Sequence, residues 1–112
     1  MSDARKTAVE QLPAATARAL AEREDGVIID VREPHEFAEE HIASAKSIPV
    51  SSLNPEKLPR GKTAILYCGL GKRSAAAAEQ LIQAGADNVA TVEGGIAGWK
   101  RSGLPTDGTD SS

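Results

Sequence analysis

The chain has 112 residues, room for one small domain with a modest hydrophobic core. Its 40% apolar and 26% charged residues suit a globular fold, and a net charge of −3 argues against a nucleic-acid backbone as the default partner. One cysteine and two histidines exclude an internal disulfide and argue against a structural zinc site, so no metal or other cofactor is expected.

From the N-terminus, "MSDARKTAVEQLP" has no apolar signal core, and no run approaches a membrane span. A cytoplasmic, non-membrane protein, and a monomer, is the resulting expectation. Val9 to Arg23 reads as a first helix, with Leu12, Ala15, Ala19 and Leu20 near helical spacing and Pro13 close to its start. Val27-Ile-Ile-Asp-Val31 follows as a nearly continuous apolar run, the pattern of a strand buried on both faces of a parallel sheet. Pro34 to Glu40 reads as a short helix opened by its proline. Lys46 to Val50 is a candidate extra strand interrupted by Pro49.

Ala64-Ile-Leu-Tyr67 is a second buried strand. Ser74 to Ala84 is a helix rich in alanine and closed by Gly85, and its Ala75–Ala78 run suits close packing on a sheet. Val89-Ala-Thr-Val92 is a third strand, followed by a last helix carrying Trp99. Alternating strands and helices predict a single α/β domain, with a mainly parallel central sheet flanked by helices on both faces. Residues 7–105 form that domain, and 1–6 and 106–112 are expected to be mobile tails. In such sheets ligands gather beyond the carboxyl ends of the strands, so the loops after Val31, Tyr67 and Glu93 should meet.

The second of those loops carries the chemistry. Cys68 stands where strand gives way to loop, followed by Gly69-Leu70-Gly71-Lys72-Arg73 and then the helix start at Ser74. Glycines let the chain curl so that backbone N–H groups point inward, and the helix start adds its positive dipole end. Together with Lys72 and Arg73 these features should lower the thiol pKa and make Cys68 a nucleophile beside an anion-binding cradle. The plainer alternative is a buried, inert cysteine; the glycines, cations and helix start weigh against it. A Walker A loop ending at Lys72 would need glycine at Leu66 and a hydroxyl residue at Arg73. A dinucleotide fingerprint would need glycine at Ser74. Both fail.

Cys68-Gly-Leu-Gly-Lys-Arg-Ser74 resembles the active-site loop of single-domain rhodanese-like sulfurtransferases. "DVREPHEFAEEHIASAKSIP" (Asp30 to Pro49) resembles the first signature of that family and "EGGIAGWKRSGLP" (Glu93 to Pro105) its C-terminal one. The first signature usually has glycine at the positions of Glu40 and Ser44. The resemblance implies a catalytic Cys68 that takes the outer sulfur of thiosulfate or a similar donor as a persulfide. A cyanide ion, a thiol or a protein acceptor then collects it. Gly69, Leu70, Gly71, Lys72 and Arg73 would form the substrate-binding loop, with Lys72 and Arg73 drawing the dianionic donor.

Other residues have plainer readings. Asp30 and Arg32 are expected to brace the loop after their strand rather than bind substrate, and His35 and His41 to serve surface or capping roles. Trp99 is expected to anchor the last helix. The Gly94-Gly95 pair fits either a tight turn or a close approach to the Cys68 loop. Glu36, Glu39 and Glu40 read as a solvated acidic face. Two rival functions remain. Cysteine phosphatases of similar architecture place five residues between Cys and Arg, where this chain has four. A carrier or protein-binding module would be loaded by a partner enzyme rather than by free thiosulfate.

Overall fold

The computed structural model describes residues 9–108. In chain order the elements are β1 (Glu10–Leu12), α1 (Ala14–Glu22), β2 (Gly26–Asp30), α2 (Pro34–Glu39), β3 (His41–Ile42) and β4 (Lys46–Ser47). Two single 3₁₀ turns follow, then β5 (Thr63–Tyr67), α3 (Lys72–Gln83), β6 (Val89–Val92), α4 (Gly95–Arg101) and β7 (Thr106–Asp107). The main sheet has the order β1-β6-β5-β2-β4, with every neighbouring pair parallel. β3 and β7 form a separate antiparallel pair.

The period of two in a strand sorts the core into two layers. Ile28, Ile65, Tyr67, Ala90 and Val92 face one side, where α1 and α4 bring Ala14, Ala17, Ile96 and Trp99. Ile29, Ala64, Leu66, Cys68 and Val89 face the other, against Ala77, Ala78 and Leu81 of α3. In α3 the buried positions are Ser74, Ala77, Ala78 and Leu81, a stripe at helical spacing whose small residues let the helix lie close to the sheet. The expected arrangement of helices on both faces of a parallel sheet is therefore the one observed.

The first helix differs from expectation. Val9 to Leu12 is not helical: β1 occupies Glu10–Leu12 and pairs with β6, and α1 starts only at Ala14. Pro13 explains the break, because a residue before proline is pushed out of the α region and Pro13 itself stands at the helix N-cap with ψ 150°. The candidate strand at Lys46 to Val50 shortens to Lys46–Ser47, and Val50 enters a 3₁₀ turn after Pro49. Of the expected tails, residues 1–6 and 109–112 lie outside the described residues. Thr106 and Asp107 pair with Ile42 and His41, and Thr106 Oγ1 donates to Glu40 at 2.8 Å, so ordered chain continues past the Pro105 boundary. Among the described residues no helix is long and apolar enough to cross a membrane.

A buried polar knot joins the two layers to the loop after β2. The Asp30 carboxylate, fully buried, accepts from the Tyr67 hydroxyl at 2.7 Å and from the Arg32 guanidinium at 2.7 Å. It also accepts from the Arg32 backbone N–H at 2.8 Å, and the Tyr67 oxygen accepts from Ile42 N–H at 3.0 Å. Burial and the bond to Asp30 push the Tyr67 phenol well above its ordinary range, so it stays a hydrogen donor. Arg32 continues to the carbonyl oxygens of Glu36 and Glu40, at the end of α2. Asp30 and Arg32 thus brace the loop, as expected for them.

Two stability predictions follow from this geometry. Tyr67→Phe leaves the buried Ile42 N–H without its partner and removes one of the donors to the Asp30 carboxylate, and urea unfolding should show a loss of about 2 kcal/mol; a loss below about 0.5 kcal/mol would contradict the knot's importance. Ser44 holds a left-handed φ of 76°, which disfavours any side chain. Ser44→Gly should therefore raise the unfolding free energy measured in urea by about 0.5 kcal/mol after the glycine's greater unfolded-state freedom is counted.

Candidate active site

Cys68 follows the last residue of β5, and the alternation along that strand turns its side chain towards α3. The residue is only 1% exposed. Gly71, the N-cap of α3, has φ 112°, a conformation open to glycine, and this reverses the chain beneath the sulfur. The Gly71 N–H then donates to Cys68 Sγ at 3.1 Å and the Ser74 N–H at 3.4 Å. Ser74 is fully buried, and its hydroxyl, 3.3 Å from the Gly71 carbonyl, can give its single proton either to that oxygen or to a Cys68 thiolate. The sulfur therefore sits at the positive end of a 12-residue helix.

Burial pushes the Cys68 thiol up. Hydrogen bonds from the Ser74 backbone and hydroxyl, and from the Gly71 and Arg73 N–H groups, outweigh it and leave the thiol below its ordinary range. Both contributions come from the same geometry, since a tight loop excludes water and concentrates donors at once.

The loop's carbonyls have to go elsewhere, and α4 takes them. Ile96 N–H donates to the Cys68 carbonyl at 2.9 Å and Ala97 N–H to the Gly69 carbonyl at 3.2 Å. This approach depends on Gly95, whose φ is 63°. A Cβ there would collide with the carbonyls of both Cys68 and Gly69, lying 2.6 Å from the latter. Gly95 thus serves a close approach to the Cys68 loop, while Gly94, with φ 76°, makes the tight turn at the N-cap of α4, so each of the two readings open in the sequence holds for one glycine.

The remaining loop residues face outward. Leu70 is 76% exposed at the loop tip, and Lys72 is exposed at the first helical position. Arg73 is not a free cation. Its Nη1 and Nη2 donate to the two carboxylate oxygens of Glu36 at 3.1 and 3.3 Å, across the cleft between α3 and α2. The guanidinium also lies beside Gly69 and near enough to Cys68 for a thiolate to reinforce its charge. Arg73 in turn holds the Glu36 carboxyl below the usual carboxylate range.

Glu36 is thus the site residue that sequence reasoning missed. The face on which it stands is not merely solvated: Glu40 also bonds Lys100 at 2.8 Å, besides Thr106. A local signal for Glu36 exists, because it occupies the N3 position of α2 and its carboxylate accepts the Glu33 N–H at 2.9 Å in a capping box. Among the described residues neither histidine is hydrogen-bonded to the sulfur. His35 is exposed, and His41 stacks on Phe37 at 3.8 Å with its Nδ1 2.8 Å from the Phe37 carbonyl oxygen. Trp99 is buried in the core and donates from Nε1 to the Pro105 carbonyl at 2.8 Å, the anchoring role expected of it. Among the described residues no group of three or more His, Cys, Asp and Glu is placed to hold a metal ion.

Comparison with known proteins gives this arrangement a context. The rhodanese-like domain family matches residues 13–102. An uncharacterised Synechocystis protein is 46% identical over 93 residues, which cover 81% of this chain and 52% of that protein. The chain thus accounts for about half of that relative's length. A thiosulfate sulfurtransferase of Coxiella burnetii is 35% identical, over 72% of this chain and 78% of its own. Among solved structures, a rhodanese-related protein of Thermoplasma volcanium superposes with a TM-score of 0.74 at 39% identity, over 88% of this chain and 97% of that one.

The lowered thiol pKa has a direct readout. The rate of Cys68 alkylation by iodoacetamide should rise with pH through a midpoint below that of a free cysteine, because thiolate persists to lower pH in the folded loop. Ser74→Ala removes one stabilising bond and should move the midpoint upward. A midpoint in wild-type protein at or above the free-thiol value would contradict the cradle.

Proposed function

The chain belongs to the rhodanese-like domain family, a family of sulfurtransferases, and we propose that it carries sulfane sulfur from thiosulfate or a similar donor to a thiophilic acceptor, as a persulfide on Cys68. One observation carries this reading: the only cysteine receives N–H donors from Gly71 and Ser74 at the N-terminus of a helix. That environment stabilises both a thiolate and the anionic outer sulfur of a persulfide.

The chemistry runs in two displacements. The Cys68 thiolate attacks the outer sulfur of thiosulfate; a new S–S bond forms, the old one breaks, and sulfite leaves with the bonding pair. The persulfide so formed would keep its negative outer sulfur near the N–H groups of Gly71, Arg73 and Ser74. Cyanide or a thiolate then attacks that outer sulfur, and the S–S electron pair returns to Cys68. Neither step needs a proton from a side chain once the thiolate exists, so a site with no histidine bonded to Cys68 suffices. Lys72 draws an anionic donor to the mouth, and Arg73 adds to this only as far as Glu36 leaves its charge unbalanced.

The loop supports sulfur over phosphate. Six residues from Cys68 to Arg73 curl tightly around one sulfur atom, which leaves little room for a tetrahedral phosphate attacked at its centre. A second reading, a carrier loaded by a partner enzyme, draws on Leu70, whose exposed side chain at the loop tip offers an apolar contact to a docking protein.

Intact-mass measurement separates these readings. Wild-type protein incubated with thiosulfate should gain one sulfur atom, lose it on addition of cyanide, and show no gain as Cys68→Ser. A gain that persists in Cys68→Ser overturns the mechanism. No gain in wild-type protein, with loading by a cysteine desulfurase, selects the carrier.

A further inference from the structure

Arg73 stands at the mouth of the loop, and one edge of its guanidinium is already committed. Both terminal nitrogens donate to the Glu36 carboxylate, and neither partner is deeply buried: the side chains are 49% and 28% exposed. Glu36 is held from its own side by the Glu33 N–H, as the N3 member of the capping box of α2. The end of α2 is in turn fixed by Arg32, through the carbonyls of Glu36 and Glu40. The carboxylate is therefore presented to Arg73 by a braced helix, rather than meeting it as two free surface side chains.

This has a consequence for donor choice. A planar guanidinium recognises an oxyanion by offering two parallel N–H groups. Here the Nη1–Nη2 fork is filled by a carboxylate of the protein. An incoming dianion must share Arg73 with Glu36 and lie near the Glu36 charge as well. A donor with one negative charge suffers roughly half that repulsion. Lys72, exposed at the first position of α3, has no ion-pair partner among the described residues.

Building on the sulfurtransferase reading above, we propose that Glu36 is a specificity-determining residue: by occupying the Arg73 fork it tunes the Cys68 site away from dianionic sulfur donors and towards monoanionic ones, such as organic thiosulfonates. The reaction is unchanged in form, with a sulfinate in place of sulfite as the group that leaves with the S–S electron pair.

Glu36→Gln tests this, since glutamine at N3 retains the capping box while removing the charge. Persulfide formation is followed in single turnovers with thiosulfate, a dianion, and benzenethiosulfonate, a monoanion. The half-saturating concentration of thiosulfate should fall about fivefold or more in Glu36→Gln, and that of benzenethiosulfonate by less than about twofold, with the gap narrowing at high salt. Equal changes for both donors, no change, or weaker thiosulfate binding in the variant would each overturn the proposal. Weaker binding would mean that Glu36 serves by holding Arg73 in place.

A second measurement needs no variant. With Arg73 neutralised, the half-saturating thiosulfate concentration of wild-type protein should rise less than about threefold between low and high salt. A steep rise would reveal two free cations and contradict the assignment. If neither donor loads the wild-type protein, the sulfurtransferase reading itself falls and the inference falls with it. Loading of the wild type without the Glu36 effect removes the inference alone.

Discussion

The arrangement around Cys68 rests on the contact between the start of α4 and the back of the Cys68 loop. A loop that turns its N–H groups inward must turn carbonyls outward, and a buried carbonyl without a donor is costly. Ile96 and Ala97 supply those donors from the first turn of α4, whose own N–H groups need acceptors. One set of hydrogen bonds thus satisfies two sets of unpaired groups. It requires the chains to come so close that position 95 has no room for a Cβ. The inward N–H groups at the sulfur and the bare backbone at Gly95 are two sides of one constraint.

A second constraint, made of side chains, sets the other wall. Asp30 is buried beneath the end of the sheet, where its charge is tolerable only because Tyr67, Arg32 and the Arg32 backbone all donate to it. Arg32 Nη2 also donates to the Glu40 carbonyl just past α2 and lies 3.4 Å from that of Glu36, which the Glu40 N–H also bonds. A buried charge in β2 thereby determines where α2 ends, and α2 determines where Glu36 stands. The polar knot and the Cys68 loop share β5 itself: Tyr67 points to one face of the sheet and Cys68, its neighbour, to the other.

Much of this could be read from the sequence, for physical reasons that also mark its limits. β2, β5 and β6 were visible because strands buried on both faces leave unbroken apolar runs, and α3 because its alanines, Leu81 and Gly85 repeat and stop at helical positions. β1 was hidden by its length. Its few residues continue the apolar spacing of α1, and the signal that separates them is the effect of Pro13 on its predecessor. The two-residue strands β3 and β7 carry no periodicity at all. At the site, Cys68, its glycines and its cations were legible because they are contiguous. The Arg73–Glu36 pair spans 37 positions, and charge patterning along a chain does not say which acid meets which base. Gly95 showed itself as a glycine, but its partner is a backbone atom, which no residue type announces.

The contrast between these residues bears on how such a site works. Most donors at Cys68 belong to the backbone, those of residues 71 and 74 above all, assisted by the Ser74 hydroxyl and a helix dipole. Backbone donors cannot be exchanged by substitution, and they act at the sulfur whatever side chains surround them. The charged side chains Lys72, Arg73 and Glu36 stand further out, at the mouth. Activation of the nucleophile and recognition of what approaches it are therefore carried by different atoms. A change at the mouth can redirect which anion enters without disturbing the thiolate, whereas a change at Gly71 or Gly95 would strike the loop that makes the thiolate possible.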